Sequence, residues 1–258
     1  SSDLLQNIPI RTERGREIRK AFIPSRKDGL ILSADYSQIE LRLMAHMSQD
    51  PDFIEAFRKG EDIHSATASK IFGVPVNELS KEQRGRAKTA NFGIIYGISS
   101  FGLSQRLNIP RAESRQLIED YFRSYPKVKE FMNEMTERAK RDGYVSTLYG
   151  RKRYLPDISS KNPVVRGLAE RNAVNAPIQG SAADIIKVAM VRLHDRLAKE
   201  GFESSMVLQV HDELVFDVVP GEEKRLAEVV KQEMERVTEL SVPLIVECQY
   251  GENWLEAH

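Results

Sequence analysis

The sequence predicts an α+β fold in which an antiparallel sheet closes over a large helical insertion. Short β-rich runs occur near both ends of the chain, at 30–34 and at 206–218. Amphipathic patterns with apolar side chains three and four positions apart fill the residues between them. Strands at both ends of a chain with helices between them are typical of an α+β domain.

The first predicted strand is the apolar run Leu30–Ala34, which stops at Asp35. A helix follows over about 38–48, because four apolar residues recur there at helical spacing: Ile39, Leu43, Met44 and Met47. Asp35 is therefore expected at the junction between a strand and a helix.

Three helices are predicted in the middle of the chain from their start signals. Ser80 and Gln83 form a capping box for a helix over about 81–96. Pro110 opens a second helix, and Pro126 separates it from a third. These helices make up the predicted insertion.

Two further helices are predicted in the last third of the chain. Ser181 and Asp184 are expected to begin the first, which ends at Gly201 because glycine accepts the left-handed conformation of a helix C-cap. The second, over about 222–240, leads to a final strand, Leu244–Val246. Between these helices, Met206–Val210 and Leu214–Val218 predict a β-hairpin with the polar residues 211–213 at its tip.

Two aspartates lie at the ends of these strands. Asp35 ends the first strand and Asp212 lies at the hairpin tip, so the two come together if their strands are neighbours in one sheet. Paired carboxylates suit Mg²⁺, and two such ions can activate an attacking oxygen and stabilise a leaving one. Taken singly, an aspartate at the position of Asp35 is more often a helix N-cap, and one at the position of Asp212 is more often a turn residue.

One face of the helix over 81–96 combines cations with aromatics. Four side chains recur every four residues and form what we term the cationic-aromatic stripe: Arg84, Lys88, Phe92 and Tyr96. Such a stripe can hold a triphosphate at its charged end and stack on a base at its aromatic end. The alternative is an amphipathic helix with buried aromatics and solvated cations. Gly93 and Gly97 beside the stripe indicate that another group approaches closely.

Composition limits the classes of protein that fit. The chain has 258 residues, 41% of them hydrophobic, and 38 basic against 38 acidic side chains, so bulk charge gives no support for nucleic-acid binding. No run reaches the roughly 18 apolar residues of a membrane helix, and no charged start followed by an apolar segment suggests a secretory signal, so we do not expect a membrane or secreted protein. The single cysteine, Cys248, cannot pair within the chain and favours a reducing compartment. Because residue 1 is serine, we expect the chain to be a piece of a longer protein.

Three of these segments, in this order, resemble the motifs of A-family DNA polymerases, the DNA polymerase I type. Asp35–Arg42 resembles motif A, the cationic-aromatic stripe with its glycines resembles motif B, and Val210–Glu213 resembles motif C. A further segment, Arg171–Gln179, also matches, and the resemblance extends from about Gln6 to Trp254.

The resemblance implies an antiparallel palm sheet with a large helical fingers insertion. It assigns 1–60 to the first part of the palm with motif A, 61–165 to the fingers with the motif B helix, and 166–258 to the second part of the palm with the motif C hairpin. Upstream of these motifs the family carries a thumb that clamps the duplex, which these residues do not include.

The resemblance also implies a two-metal reaction. Asp35 and Asp212 would hold two Mg²⁺ ions, the Tyr36 carbonyl would be a further ligand, and Glu213 would be an auxiliary carboxylate. The reaction would be in-line attack of a primer 3′-hydroxyl on the α-phosphate of a deoxynucleoside triphosphate, with pyrophosphate leaving.

The nucleotide-binding residues that the resemblance implies are Arg84, Lys88, Phe92, Tyr96, His64, Gln38 and Glu40. Arg84, Lys88 and His64 would contact the triphosphate, and Lys88 would also protonate the leaving group. Glu40 would block a ribose 2′-hydroxyl, and with Phe92 it favours deoxynucleotides over ribonucleotides.

Primer-template DNA is the implied macromolecular partner. Arg171, Asn175 and Gln179 resemble minor-groove readers, which can check base-pair geometry because every Watson–Crick pair offers acceptors at purine N3 and pyrimidine O2. His211 joins this DNA-binding set. A basic stretch interleaved with tyrosines is expected to contact the DNA backbone: Arg138, Lys140, Arg141, Tyr144, Tyr149, Arg151, Lys152, Arg153 and Tyr154.

Two alternatives remain open from the sequence. The chain could be a DNA-binding fragment without turnover, because the thumb is not included. It could also be a relative of single-subunit RNA polymerases, although Glu40 and Phe92 argue against ribonucleotide use. The expected setting is a monomer in the bacterial cytoplasm, away from membranes, with Trp254 and Cys248 as core residues.

Overall fold

The computed structural model describes residue 8 and residues 12–258. In this part of the chain the helices are α1 Glu13–Lys20, α2 Ile39–Ser48, α3 Pro51–Arg58, α4 Ile63–Phe72, α5 Lys81–Ile95, α6 Ser100–Leu107, α7 Arg111–Ser124, α8 Pro126–Asp142, α9 Pro163–Lys199 and α10 Glu223–Glu235. The strands are β1 Leu30–Tyr36, β2 Tyr144–Ser146, β3 Lys152–Tyr154, β4 Ser205–Val210, β5 Glu213–Val218 and β6 Val246–Gly251. The predicted α+β class is confirmed. The start of the resemblance, near Gln6, lies outside the described residues.

The chain divides into two compact units. The sheet unit comprises the chain up to Ile39, Ala183–Glu239 and Leu244–His258. The helical unit comprises Glu40–Ala182 and Leu240–Pro243. The sheet unit therefore contains β1, β4, β5, β6 and α10, and the helical unit contains α3 to α8 with the small hairpin β2–β3.

The sheet is antiparallel throughout, with the strand order β4-β5-β1-β6. The central strand β1 pairs with β5 on one side and with β6 on the other. The predicted hairpin is confirmed: β4 and β5 are joined by a two-residue turn, His211–Asp212, and Val210 pairs with Glu213. Because β1 and β5 are neighbours, the ends that carry Asp35 and Asp212 meet.

Alternate residues of β1 face opposite sides of the sheet. Leu32 and Tyr36 lie on the side of α10, where the Tyr36 hydroxyl donates a hydrogen bond to the Met234 carbonyl at 2.7 Å. Ile31 lies on the other side, in a buried cluster around Trp254. Both faces of β1 are therefore covered, which explains its nearly continuous apolar run.

The three helices that the sequence predicts in the middle of the chain begin where expected. Ser80 and Gln83 form the expected capping box of α5: the Ser80 hydroxyl accepts from the Gln83 N–H at 3.1 Å, and the Gln83 side chain accepts from the Ser80 N–H at 2.9 Å. Pro126 opens α8 as the first helical residue. In the described part of the chain, no helix has both the length and the apolar character that crossing a bilayer needs.

The expected helix start at Ser181 is wrong, because α9 runs unbroken through it from Pro163 to Lys199. The Ser181 hydroxyl donates to the Pro177 carbonyl at 2.6 Å and accepts from the Leu148 N–H at 2.9 Å. Ser181 is thus an interior helix residue that bonds back to the preceding turn, which is the known alternative to capping for serine. The predicted end is confirmed by the left-handed Gly201, at φ 70°.

The last strand lies later than predicted. The expected strand Leu244–Val246 only leads into β6, which is Val246–Gly251. The pattern was missed because β6 is an edge strand whose side chains alternate between buried and exposed, so polar residues interrupt its apolar run. The helix predicted over about 222–240 is shorter, since α10 ends at Glu235.

Candidate active site

The sheet gathers acidic side chains at one end of its central strands. Asp35 on β1 pairs with Glu213 on β5 and with Glu247 on β6. The N–H of Tyr36 donates to the carbonyl of Asp212 at 3.3 Å, which ties the end of β1 to the hairpin turn. We term Asp35, Asp212 and Glu213 the acidic strand ends. Like charges that face each other across strands are destabilising unless something offsets them.

The surroundings of Asp35 and Asp212 oppose the negative charge of their carboxylates, and a nearby cation would offset this. The Oδ1 atom of Asp35 is buried and has no hydrogen-bond partner among the residues that the structure describes. Burial first, and then the nearby charges of Asp212 and Glu213, raise the pKa of Asp35 to about 7. Burial also raises the pKa of Asp212. Desolvated carboxylates that repel each other are the chemistry expected of ligands for a hard divalent cation.

Within the described residues, no group of three or more His, Cys, Asp or Glu side chains converges into a metal site. The two aspartate carboxylates are compatible with Mg²⁺, which takes one or two carboxylates and fills its other positions with water and substrate phosphates.

Glu213 differs from the two aspartates because its carboxylate is fully engaged. It is 3% exposed and accepts hydrogen bonds from the Ser33 hydroxyl at 2.7 Å and the Trp254 indole N–H at 2.9 Å. His258 lies 3.4 Å from its second oxygen. Burial alone would raise the pKa of Glu213, but the bonds from His258, Trp254 and Ser33 outweigh it and lower the pKa.

Two strained residues flank the acidic strand ends. Gln38 has φ 55° and His211 has φ 54°, a left-handed conformation that is uncommon outside glycine. Such backbone strain persists where the surrounding structure enforces it, and it clusters at functional sites. Gln38 is half-buried, whereas His211 is exposed at the hairpin turn.

The charged half of the cationic-aromatic stripe lies on the surface of α5. The Arg84 Nε atom lies 2.5 Å from Asp62 Oδ2, so this guanidinium is held by a carboxylate. The Lys88 side chain is exposed and forms no ion pair or hydrogen bond with any residue that the structure describes. Lys88 is therefore free to bind an anion, while Arg84 has to exchange its partner to do so.

His64 lies behind the stripe as a neutral side chain. It is 2% exposed, and burial lowers its pKa to about 4, with Lys88 and Arg84 adding to the effect against Asp62. The Asn91 Nδ2 atom lies 3.0 Å from His64 Nδ1. Since an amide nitrogen only donates, Nδ1 accepts and the ring proton resides on Nε2.

The aromatic half of the stripe includes a contact that sequence spacing does not reveal. Phe92 lies against the His64 ring, with 5.6 Å between ring centroids. The Tyr96 hydroxyl donates a hydrogen bond to Glu40 Oε2. Tyr96 caps the C-terminus of α5, and Glu40 lies in the first turn of α2. Motif A and motif B residues are thus linked directly.

The glycines beside the stripe do make room for other side chains. A Cβ atom on Gly97 would lie 2.6 Å from Arg171 Cγ, and Gly97 also has φ 68°. A Cβ atom on Gly93 would lie 2.9 Å from Ile98 Cγ2. The group that approaches Gly97 is therefore one of the predicted DNA-binding residues.

Asn175 and Gln179 line a polar groove of about 350 Å³ together with the hairpin β2–β3. The hairpin side of the groove carries three consecutive cations: Arg151, Lys152 and Arg153. The Oδ1 atom of Asn175 is buried without a hydrogen-bond partner in the described structure. Two features that the sequence suggests separately, the reader face of α9 and the basic hairpin, thus form one surface.

The basic residues of α8 are less available than their sequence suggests. Arg138 and Arg141 lie within 3.7 and 2.8 Å of Asp142, and Lys140 lies 2.9 Å from Glu137. Lys152 lies over the Tyr144 ring at 4.4 Å. The expected backbone-contacting surface is therefore reduced mainly to the hairpin.

Sequence reasoning missed two candidate residues. Glu247 on β6 pairs with Asp35 on β1. The sequence predicts the last strand over Leu244–Val246, which does not include Glu247. Trp254 was expected only to fill the core, yet its indole nitrogen bonds Glu213. No local pattern marks either role, because both depend on which strands become neighbours.

Comparisons with known proteins agree with this geometry. The model of DNA polymerase family A matches residues 2–256. The chain belongs to DNA polymerase family A. It is 53% identical over 253 residues to DNA polymerase I of Geobacillus stearothermophilus and 50% identical over 250 residues to DNA polymerase I of Mycobacterium tuberculosis.

These family A relatives are much longer than the chain. The two matches cover 98% and 97% of the chain but only 29% and 28% of the relatives. Among solved structures, the POL domain of Pol1 from M. smegmatis, in complex with DNA primer-template and dNTP, matches with a TM-score of 0.94 and 48% identity. The match covers 98% of the chain and 45% of that domain structure.

Proposed function

We propose that the chain is the catalytic part of a template-directed DNA polymerase, which adds deoxynucleotides to a primer 3′-hydroxyl in DNA repair and replication. The observation that carries the proposal is the pairing of β1 with β5, which places Asp35 beside the turn of Asp212 with a buried, unpartnered carboxylate oxygen. Family membership and the solved relative's complex with primer-template and dNTP support the substrate class.

Asp35, Asp212 and the Tyr36 carbonyl would hold two Mg²⁺ ions. When bound, these ions lower the pKa of the primer hydroxyl and stabilise the charge of the leaving pyrophosphate. Glu213, held by Ser33 and Trp254, stays on the face that carries Asp35 and adds negative potential without being drawn to the cation. The protein thus supplies a rigid acidic platform.

The cationic-aromatic stripe would bind the incoming nucleotide. Lys88, exposed and unpaired within the described structure, contacts the triphosphate and donates a proton to the leaving group. Neutral His64 carries its proton on Nε2 and can donate a hydrogen bond to a phosphate oxygen. Arg84 shifts from Asp62 to the phosphates, and Phe92 offers a face for the base.

Selectivity for deoxynucleotides would rest on Glu40. Its carboxylate is fixed by the Tyr96 hydroxyl, so it cannot swing aside to admit a ribose 2′-hydroxyl. Gln38 is part of the same nucleotide-binding set. This arrangement favours a DNA polymerase over a relative of single-subunit RNA polymerases.

The groove beside α9 would receive the duplex. Asn175, Gln179 and Arg171 would read the minor groove, and the cations of β2–β3 would contact backbone phosphates. His211 would contact the template from the hairpin turn. In family terms, we infer that 1–60 and 166–258 form the palm and 61–165 the fingers, and that the protein acts as a monomer in the bacterial cytoplasm.

Primer extension tests the proposal. The assay uses a recessed primer-template, Mg²⁺ and four deoxynucleoside triphosphates at low salt, and it compares the wild-type chain with Asp35→Asn, Asp212→Asn and Asp217→Asn. Asp217 is the matched control, because it lies on β5 far from the turn and only accepts from the Ser25 N–H at 3.2 Å. We expect loss of extension in the first two variants only.

The alternatives give different outcomes. Duplex binding without extension by the wild-type chain would favour a DNA-binding fragment that needs the upstream region. Extension with ribonucleoside triphosphates at a comparable rate would favour an RNA polymerase. Extension that survives both Asp35→Asn and Asp212→Asn would overturn the assignment of the site.

A further inference from the structure

The C-terminal segment holds an aromatic side chain against the acidic strand ends. Trp254 is fully buried, and its indole N–H donates to Glu213 Oε1 at 2.9 Å. The same oxygen accepts from the Ser33 hydroxyl at 2.7 Å. Ser33 and Asp35 are two residues apart on β1 and lie on the same face of the sheet. Trp254 therefore reaches the residue that faces Asp35.

The indole ring is itself held on several sides. The Arg19 guanidinium lies over the ring at 4.1 Å, and the Phe22 ring contacts it edge-on at 5.3 Å. The backbone N–H of Trp254 donates a hydrogen bond to the Phe22 carbonyl at 2.9 Å. Because these contacts hold the indole ring in place, its N–H can in turn hold the Glu213 carboxylate in one position.

Packing alone would not require this donor. Ile31, Val210, Val215 and Ala257 surround Trp254 and form an apolar cluster in which a phenylalanine ring would also be buried. The indole N–H of Trp254 donates to Glu213. Without this bond, the Glu213 carboxylate would be buried beside two other acidic side chains with one donor fewer. Outer residues that orient a charged group near a metal site are known to affect activity strongly.

We propose that Trp254 is a positioning residue of the polymerase site, which acts with Ser33 to hold the Glu213 carboxylate on its own side of the acidic strand ends and to keep Asp35 and Asp212 available for Mg²⁺. This inference rests on the proposed function. It assigns a catalytic consequence to a side chain that touches neither substrate nor metal.

The kinetic test separates the hydrogen bond from the ring. Trp254→Phe keeps an aromatic ring and removes the donor, and Ser33→Ala removes the other donor with little change in volume. Phe22→Leu is the matched control, since it alters packing around Trp254 without removing a donor. We expect kcat for single-nucleotide incorporation to fall about tenfold or more in Trp254→Phe and Ser33→Ala, with KM for the nucleotide nearly unchanged and Phe22→Leu close to wild type.

A double-mutant cycle distinguishes positioning from a structural role. In a Glu213→Gln background, Trp254→Phe should have no further effect on kcat, because the group that Trp254 positions is already altered. Losses that multiply in the double variant would overturn the proposal, as would a wild-type kcat in Trp254→Phe. Ser33→Ala keeps the proposal open to refutation if Trp254→Phe does not fold.

A spectroscopic readout does not depend on turnover. Trp254 is the single tryptophan of the chain, so the tryptophan emission comes from this one buried site. Titration with Mg²⁺ should change the emission of the wild-type protein but not that of Asp35→Asn or Glu213→Gln. A wild-type protein that shows this response but extends no primer would support the link between Trp254 and a Mg²⁺ site at the acidic strand ends and would count against the proposed function alone, whereas an unresponsive emission would overturn the inference.

Discussion

Asp35 and Asp212 lie at the ends of buried strands, whereas Lys88 projects from an exposed helical surface. The aspartates are desolvated and close to other carboxylates, so their environment opposes their charge. Lys88 has no such opposition, because it forms no ion pair in the described structure and remains in water. The difference separates a buried acidic cluster whose surroundings oppose its charge from an exposed cation that no carboxylate in the described structure holds.

A large effect on the incorporation rate, without an effect on stability, is expected at Lys88. Lys88→Met should reduce the rate of single-nucleotide incorporation by about 10²- to 10⁴-fold, because it removes a proton donor and a phosphate contact. Thermal stability should stay close to wild type, since an exposed, unpaired side chain contributes little to folding. Lys81→Met, in the first turn of the same helix, is the control. Equal rates for the two variants would break the comparison.

A substitution in the acidic strand ends should change stability as well as activity: replacing Asp35 should raise the stability of the protein and abolish extension. The pKa of Asp35 is raised from 3.8 to about 7, so the folded state binds this proton more tightly than the unfolded chain does. Its contribution to stability is present below pH 3.8 and is lost as the pH rises through 7. At pH 8 without divalent cations, Asp35→Asn should therefore stabilise the protein by up to about 4 kcal/mol while it abolishes extension.

Urea unfolding with a chelator present measures this gain, and Asp217→Asn is the control that should show none. The gain should shrink as the pH falls toward 4, because Asp35 is then protonated in the wild-type protein as well. Adding Mg²⁺ should stabilise the wild-type protein more than the variant. A lower urea midpoint for Asp35→Asn at pH 8 would contradict the interpretation.

A smaller effect on stability is expected at His64, which lies next to the cations of the stripe. Its pKa is lowered from 6.5 to about 4, so the unfolded chain binds the proton first. The stability that comes from neutral His64 is complete above pH 6.5 and falls, by up to about 3 kcal/mol, as the pH drops to 4. His64→Gln should flatten this part of the stability profile, whereas His194→Gln, on the exposed face of α9, should not. Parallel urea profiles for wild type and His64→Gln would refute it.

The smallest expected effect concerns sugar selectivity. Glu40→Ala should admit ribonucleotides and raise their incorporation relative to deoxynucleotides by about 10- to 100-fold, which is the scale of one lost steric or polar barrier. Tyr96→Phe should give a weaker change in the same direction, because it releases Glu40 without removing it. Single-nucleotide incorporation with each sugar measures both, and Glu55→Ala on α3 is the control. Unchanged selectivity in Glu40→Ala would refute the role.

Local signals predicted the elements that local chemistry determines. The capping box at Ser80, the proline at the start of α8 and the hairpin around Asp212 all depend on residues a few positions apart. Ser181 misled for the same reason, since serine serves equally as a cap or as an interior residue that bonds its preceding turn.

The parts of the site that sequence could not predict depend on distant pairings. Glu247 meets Asp35 only because β6 is the second neighbour of β1, and Trp254 meets Glu213 across 41 positions of the chain. The bond between Tyr96 and Glu40 spans 56 positions. Residue type and spacing select the candidate side chains, but the partners that set their charge and orientation follow from the three-dimensional fold.

The strand order also bears on how the molecule is made. Both partners of β1 lie far downstream of it, in β5 and β6, so β1 leaves the ribosome long before either can pair with it. At about 5–20 residues per second, roughly 10 to 35 s separate the emergence of β1 from that of β5. During this interval β1 has neither of its sheet neighbours. The acidic strand ends consequently form only after β5 has been synthesised.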